Sequence, residues 1–250
     1  MSGHSKWAQI KRQKGVADAR RGQLFSKLAR EIIIAARQGG ANPEANFRLR
    51  LAVQKARDSN MPLDNIKRAI ERGGGGAEAS AMAELNLEGY GPNGVAVIVE
   101  ALSDNRNRTI QDVRNLFSRS GGNLAESGAV AWLFETRGVI TVETAGIDAE
   151  ELALMAIDAG AEDVKVEKGY LEILTSPQNL EPVRKAVEKK KPIVSAEISK
   201  VPKSTVVLGE KEAVQALKFL DQLEEHEDVQ RVFANIDYSE AVLEKLRAQA

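Results

Sequence analysis

Two histidines and a run of carboxylates are the first residues to weigh for chemistry. A hydrolytic triad needs a histidine base held by a carboxylate. The chain offers only His4, inside a basic stretch, and His226, inside the acidic "EEHED" (224–228). Glu224, Glu225, Glu227 and Asp228 could hold a hard cation or act as general acid and base, but adjacent carboxylates at a helix end read as a solvated face. With no cysteine, disulfides and thiolate chemistry are absent. "GYGPNG" (89–94) has the letters of a dinucleotide fingerprint, yet that motif must follow a strand and open a helix, where the pyrophosphate meets free amides. Here it precedes the strand-like run "GVAVIVEAL" and reads as a turn. The tetraglycine at 73–76 lacks the Lys-Ser/Thr pair of a phosphate loop. No catalytic residue, metal or cofactor is therefore expected.

Phosphate binding is the chemistry that the spacing does favour. Between Gly3 and Arg30 stand eight cations (Lys6, Lys11, Arg12, Lys14, Arg20, Arg21, Lys27 and Arg30) against the single carboxylate Asp18. Residues 1–75 hold 16 Lys and Arg against 6 Asp and Glu, a net of +10, so the remaining residues carry −11 although the whole chain is at −1. Such a split marks an anionic partner held by one end of the molecule. Cations neutralise phosphates and release counterions, while an aromatic such as Trp7 can stack on an unpaired base. Trp7 could equally pin the arm onto the helices behind it. Arg48, Arg50, Lys67, Arg68 and Arg72 extend the basic surface. A second polar site is "SDNRNRT" (103–109), where Arg106 and Arg108 alternate with asparagines at the start of a helix, a setting for phosphate or for a rigid loop.

These residues need a scaffold, and the periodicity supplies one. In "RGQLFSKLAREIIIAARQGG", Leu24, Leu28 and Ile32 recur at four-residue spacing, with Gly39 and Gly40 as a stop. A second helix is expected from Pro43 through "ANFRLRLAVQKARDSN", and a third opens at Pro62, with Leu63, Ile66 and Ile70 inward. "GGGGAEASAMAE" (73–84) reads as a flexible linker. Beyond it, strands are expected at 94–102 and 129–135, flanking an amphipathic helix that turns Ile110, Val113, Leu116 and Phe117 inward. Residues 138–200 spell β-α-β-β-α-β, and 204–208, 210–225 and 228–236 add β-α-β. The fold class expected is α+β and multidomain: a basic three-helix bundle (1–76) followed by two ferredoxin-like α+β modules, one from 85–136 plus 203–237 and the other (137–202) inserted in it.

Several motifs together resemble one family. "GHSKWAQIKRQK", "DARRGQLFSKLAREI", "NFRLRLAVQKAR", "NMPLDNIKRAIERG", "EGYGPNG", "SDNRNRT", "GGNLAESGAVAWLF" and "EDVQRVFANID" are similar, in order and over nearly the whole chain, to the YebC family. The resemblance implies three domains, one basic and helical and two α+β, and no catalysis. It implies either a DNA-binding regulator of transcription or, as in mitochondrial and bacterial relatives, a translation factor tied to ribosomes stalled on proline-rich sequences. Carried onto this chain, Lys6, Trp7, Lys11, Arg12, Lys14, Arg20, Arg21 and Lys27 would form the main nucleic-acid surface, with Arg106 and Arg108 as a second contact. Ala41, in "GGANP", stands where many relatives have a third glycine, which bears on that loop's flexibility.

The residues also bear on the choice of partner. No helix-turn-helix and no dimerising heptad is evident, so a monomer is expected, and a basic arm suits ribosomal RNA, read by shape, phosphate and unpaired bases. The leading expectation is a factor on the large ribosomal subunit, with DNA as the alternative target and no small-molecule substrate. No apolar run reaches membrane-spanning length, and the polar, basic N-terminus is unlike a secretory signal, so a cytoplasmic location is expected.

Overall fold

A computed structural model describes residues 18–75, 82–146, 148–167, 169–239 and 242. The first helix, α1 (Asp18–Gly39), buries Leu28, Ile32, Ile33, Ala35 and Ala36. The second, α2 (Phe47–Asp58), starts four residues later than Pro43, because Asn46 caps it: the Asn46 side chain accepts from the Leu49 amide at 3.1 Å and donates to Ala35 O at 2.7 Å. The third, α3 (Leu63–Gly75), follows Pro62 and packs Ile66 and Ala69 against α1 and α2. It continues through Gly73, Gly74 and Gly75, which the sequence assigned to a linker. Glycine is needed at 73 because α1 approaches too closely for a side chain: a Cβ there would lie 2.5 Å from Ile33 O.

The α+β region opens with β1 (Ala83–Tyr90), a strand the sequence reading missed. Its letters, "AELNLEGY", are poor in β-branched residues, and tertiary pairing on both sides overrides that local preference. A tight turn over Pro92–Gly94, with Asn93 and Gly94 at positive φ, reverses the chain, as expected for "GYGPNG". The chain returns in β2 (Ala96–Ser103), which pairs antiparallel with β1. Next come α4 (Arg106–Arg119) and the short β3 (Asn123–Ala125) on the other side of β1. The run "AVAWLFE" is no strand until its end. Residues 131–133 form a 3-10 turn, and β4 (Phe134–Glu143) begins at Phe134 and continues through "GVITVE". The expected boundary at 136/137 thus falls inside one continuous strand.

Four strands form the next sheet. After β4 come α5 (Ala149–Asp158), β5 (Asp163–Glu167), β6 (Tyr170–Thr175), α6 (Leu180–Glu188) and β7 (Ile193–Pro202). The order is β5-β6-β4-β7, antiparallel throughout, which is the ferredoxin-like arrangement. One face buries Ile140, Val142, Leu171 and Ile173 under α5 and α6, and Leu51 of α2 also reaches this core.

The last elements return to the earlier sheet: β8 (Val206–Leu208), α7 (Glu210–Glu225), β9 (Val229–Ala234) and β10 (Ile236–Tyr238). The sheet order is β3-β1-β2-β9. The sequence reading placed 204–208 in this sheet, but β1 occupies the central place beside β2, and β8 pairs in parallel with β10 instead. Asn235 joins the two pairings: it exchanges bonds with Ala96 (2.8 and 3.2 Å), and its carbonyl accepts from Val206 N at 2.7 Å. Under one face of the sheet, α4 and α7 bury Val97, Val99 and Val113, with Phe117 and Phe219 edge to face at 4.9 Å. The other face buries Ala96, Ile98 and Phe233 beneath Val130 and Phe134.

Candidate nucleic-acid interface

Five of the expected contact residues, Lys6, Trp7, Lys11, Arg12 and Lys14, lie outside the described residues. Arg20 and Arg21 fall within the first turns of α1. Further along α1, cations of this helix meet the acidic "EEHED". The last carbonyls of α7 have no intrahelical donors and carry the negative end of the helix dipole. Lys27 and Arg30, one turn apart on α1, meet this end: Lys27 Nζ donates to Glu224 O in the last turn, and Arg30 Nη1 to Glu227 O, two residues past the helix, at 2.6 Å.

Asp228 is the centre of this junction and only 1% exposed. Its Oδ1 accepts from Arg30 at 3.1 Å, and its Oδ2 accepts from Arg108 at 3.0 Å and from the Thr109 hydroxyl at 2.7 Å. Burial pushes the Asp228 carboxyl up, but the Thr109 and Arg108 bonds and the charges of Arg30 and Arg108 together outweigh it and hold it below the usual aspartate value. Arg108 further meets Asp104 at 3.1 Å. The "SDNRNRT" segment thus folds as the capped start of α4, Asn105 accepting from the Arg108 amide at 3.1 Å and residues 106–109 forming the first turn.

The remaining cations divide by whether the fold already uses them. Arg48 pairs with Gln38 and with Glu84 of β1 at 3.4 Å. Arg50 donates to the Pro43 and Glu44 carbonyls at 3.1 and 3.0 Å, holding the α1–α2 loop. Arg68 bonds Asn65 and Asp64 O within α3, and Arg72 is also engaged. By contrast the side chains of Arg57, Lys67 and Arg106 are exposed and make no hydrogen bond or ion pair with the described residues. A groove of about 270 Å3 between α1 and α3 has Phe25 and Met61 in its lining and Arg68 and Arg72 beside them.

Sequence reasoning overlooked two residues here. Glu88, in the unrecognised strand β1, is buried and accepts from the amides of Gly128, Val130 and Ala131 at 2.8, 2.9 and 2.8 Å. Burial raises its carboxyl, but the three amide bonds and Lys200 outweigh this, so the group lies below the usual glutamate range. Trp132, placed by the sequence in a strand, instead stands 65% exposed on the 3-10 turn. The mixed run "GAVAW", with neither clean alternation nor a helical period, was the available signal.

These features define a multidomain α+β protein whose basic helical module is tied by ion pairs to its α+β region. The chain belongs to the TACO1/YebC family. Residues 5–76 match the family's N-terminal domain ("TACO1/YebC protein N-terminal domain"), and residues 82–236 match "TACO1/YebC second and third domain". It is 60% identical, over the full length of both chains, to a Dehalococcoides mccartyi protein named "Probable transcriptional regulatory protein cbdbA400". It is 48% identical to a Dictyoglomus thermophilum protein named "Probable transcriptional regulatory protein", over 98% of this chain and all of that one. Among solved structures, the conserved hypothetical protein Aq1575 of Aquifex aeolicus superposes with a TM-score of 0.81 at 48% identity, covering 89% of this chain and 93% of that one.

Proposed function

We propose that this protein binds nucleic acid through its basic helical module and regulates gene expression without chemistry of its own. The observation that carries this reading is the concentration of charge, +10 within residues 1–75 against −11 beyond, with the Arg57 and Lys67 side chains exposed and without a partner among the described residues. On our reading the partner is RNA of the large ribosomal subunit, and the protein acts in the cytoplasm as a monomeric translation factor that helps elongation through proline-rich stalls. A surface of cations with no groove-reading helix evident suits an RNA recognised by shape and phosphate. Lys6, Lys11, Arg12, Lys14, Arg20 and Arg21 supply phosphate contacts, Trp7 stacks on a base, and Arg106 adds a contact from the α+β region.

The second reading, a DNA-binding regulator of transcription, is favoured by the names of the relatives. Crosslinking in living cells, followed by sequencing of the attached nucleic acid, separates the two. Reads concentrated in large-subunit ribosomal RNA, and lost when Lys11, Arg12 and Lys14 are changed together to alanine, are expected. Reads at a few promoters over background ribosomal RNA would transfer the protein to the second class.

A further inference from the structure

Trp132 is the largest apolar side chain left exposed among the described residues, and the fold holds it there. Its indole Nε1 donates to Ala129 O at 3.1 Å, three residues back, so the N–H is satisfied within the turn and the ring orientation is fixed. The turn is fixed in its own right. The buried Glu88 carboxylate gathers the amides of Gly128, Val130 and Ala131, the Tyr90 hydroxyl adds a bond to Ala129 O at 3.3 Å, and Lys203 N closes onto Leu133 O at 2.8 Å. A buried carboxylate is costly unless fully bonded, and here its bonds go to the loop that presents a tryptophan.

The surroundings narrow what the ring is for. Its chain neighbours Ala129 and Leu133 pack against the cluster of Phe134 and Phe233, leaving the indole outside that core. Two lysines lie at the end of β7, which meets this turn through the Lys203 N to Leu133 O bond. Lys203 is half exposed and reaches Glu135 only at 3.9 Å, a carboxylate already held by Arg137 at 2.7 Å. The side chain of Lys200, on β7 opposite Thr136, makes no hydrogen bond or ion pair with the described residues, and its charge acts on the Glu88 carboxylate.

We propose that Trp132 is a stacking platform for an unpaired nucleobase, with Lys200 and Lys203 meeting the flanking phosphates. The site lies on the α+β region, apart from the basic helices, and makes the protein a two-point reader of single-stranded RNA. The inference rests on the nucleic-acid reading above.

The test uses the full chain with Trp7→Phe, which leaves Trp132 as the only indole. Stacking on a base is expected to quench its emission saturably when single-stranded oligoribonucleotides are added, while a labelled strand reports binding by anisotropy. Trp132→Ala should weaken binding about 5- to 150-fold (~1–3 kcal/mol per stacked base) and leave the melting temperature unchanged. Glu88→Gln, with the indole retained, should reduce the quench. If the oligonucleotide binds but Trp132 emission does not move, the proposal is overturned, the nucleic-acid reading stands, and the ring is left to a protein partner. If no strand binds at all, the nucleic-acid reading itself fails.

Discussion

A single buried carboxylate decides how the basic helices meet the rest of the molecule. Asp228 accepts from Arg30, Arg108 and Thr109 at once, so removing it takes a buried partner from each, although Arg30 keeps Glu227 O, Arg108 keeps Asp104 and Thr109 keeps Ser103. Asp228→Ala should cost about 1–3 kcal/mol in urea unfolding, toward the low end because Arg30 and Arg108 remain partly solvated. The sign of the pH dependence follows from the depressed carboxyl. Stability from this group is fully present above the usual aspartate value of 3.8 and is lost as pH falls below it toward the folded value. The stability gap between the parent and Asp228→Asn should therefore be widest near neutrality and close in acid; a gap independent of pH would show that the charge is not what matters. Nothing in "EEHED" distinguished Asp228 from its neighbours. Its burial is set by α1 and α4, elements far away in sequence.

At the scale of elements, close packing makes its own predictions. Gly73→Ala places a methyl 2.5 Å from Ile33 O and 2.7 Å from Ala36 Cβ, so α1 and α3 must separate. A loss of about 1–3 kcal/mol is expected, read as a lower melting temperature, although alanine is the better helix former. Where the local pattern agreed with the tertiary fold, the elements were legible. The four-residue apolar spacing of α1, the β-branched β2 and the β-α-β-β-α-β run from 138 to 200 all appear in the structure. Where the fold overrode local preference, they were not. The strand β1 is made of residues that pair because β2 and β3 flank them, β8 leaves the sheet because β1 already fills its place, and the glycines of α3 look like a linker until α1 is seen beside them. The candidate site was legible in charge and not in geometry: of the described cations picked from sequence, Lys27, Arg48, Arg50 and Arg108 are engaged by the fold, while the Arg106 side chain has no partner among the described residues.

For the whole molecule, binding should be electrostatic at one end. Log affinity for single-stranded RNA should fall linearly with log salt, and changing Lys11, Arg12 and Lys14 to alanine should reduce that slope by up to roughly 2, at about 0.7 per lost phosphate contact. An unchanged slope would clear the arm of this role. The three modules are not independent beads. Arg231 of β9 bonds Glu100 of β2 at 2.9 Å and Ile198 O of β7 at 2.8 Å, joining the two sheets, and Leu51 of α2 reaches the core under α5 and α6.

The place of β9 in its sheet also matters while the chain is being made. It pairs with β2 in the register Val97↔Ala234 through Ala101↔Val229, so β2 waits for its partner until the whole ferredoxin-like segment has left the ribosome. In that interval "AVIVEA" (96–101) is an uncovered, β-branched edge, the kind of strand that recruits other chains. The segment from β4 to β7 has all its own strands and can close first. A chain stopped after Glu225 should therefore collect in inclusion bodies or on chaperones, while limited proteolysis still yields a protected fragment spanning β4 to β7. For this fold, the hazardous moment of synthesis comes near the end.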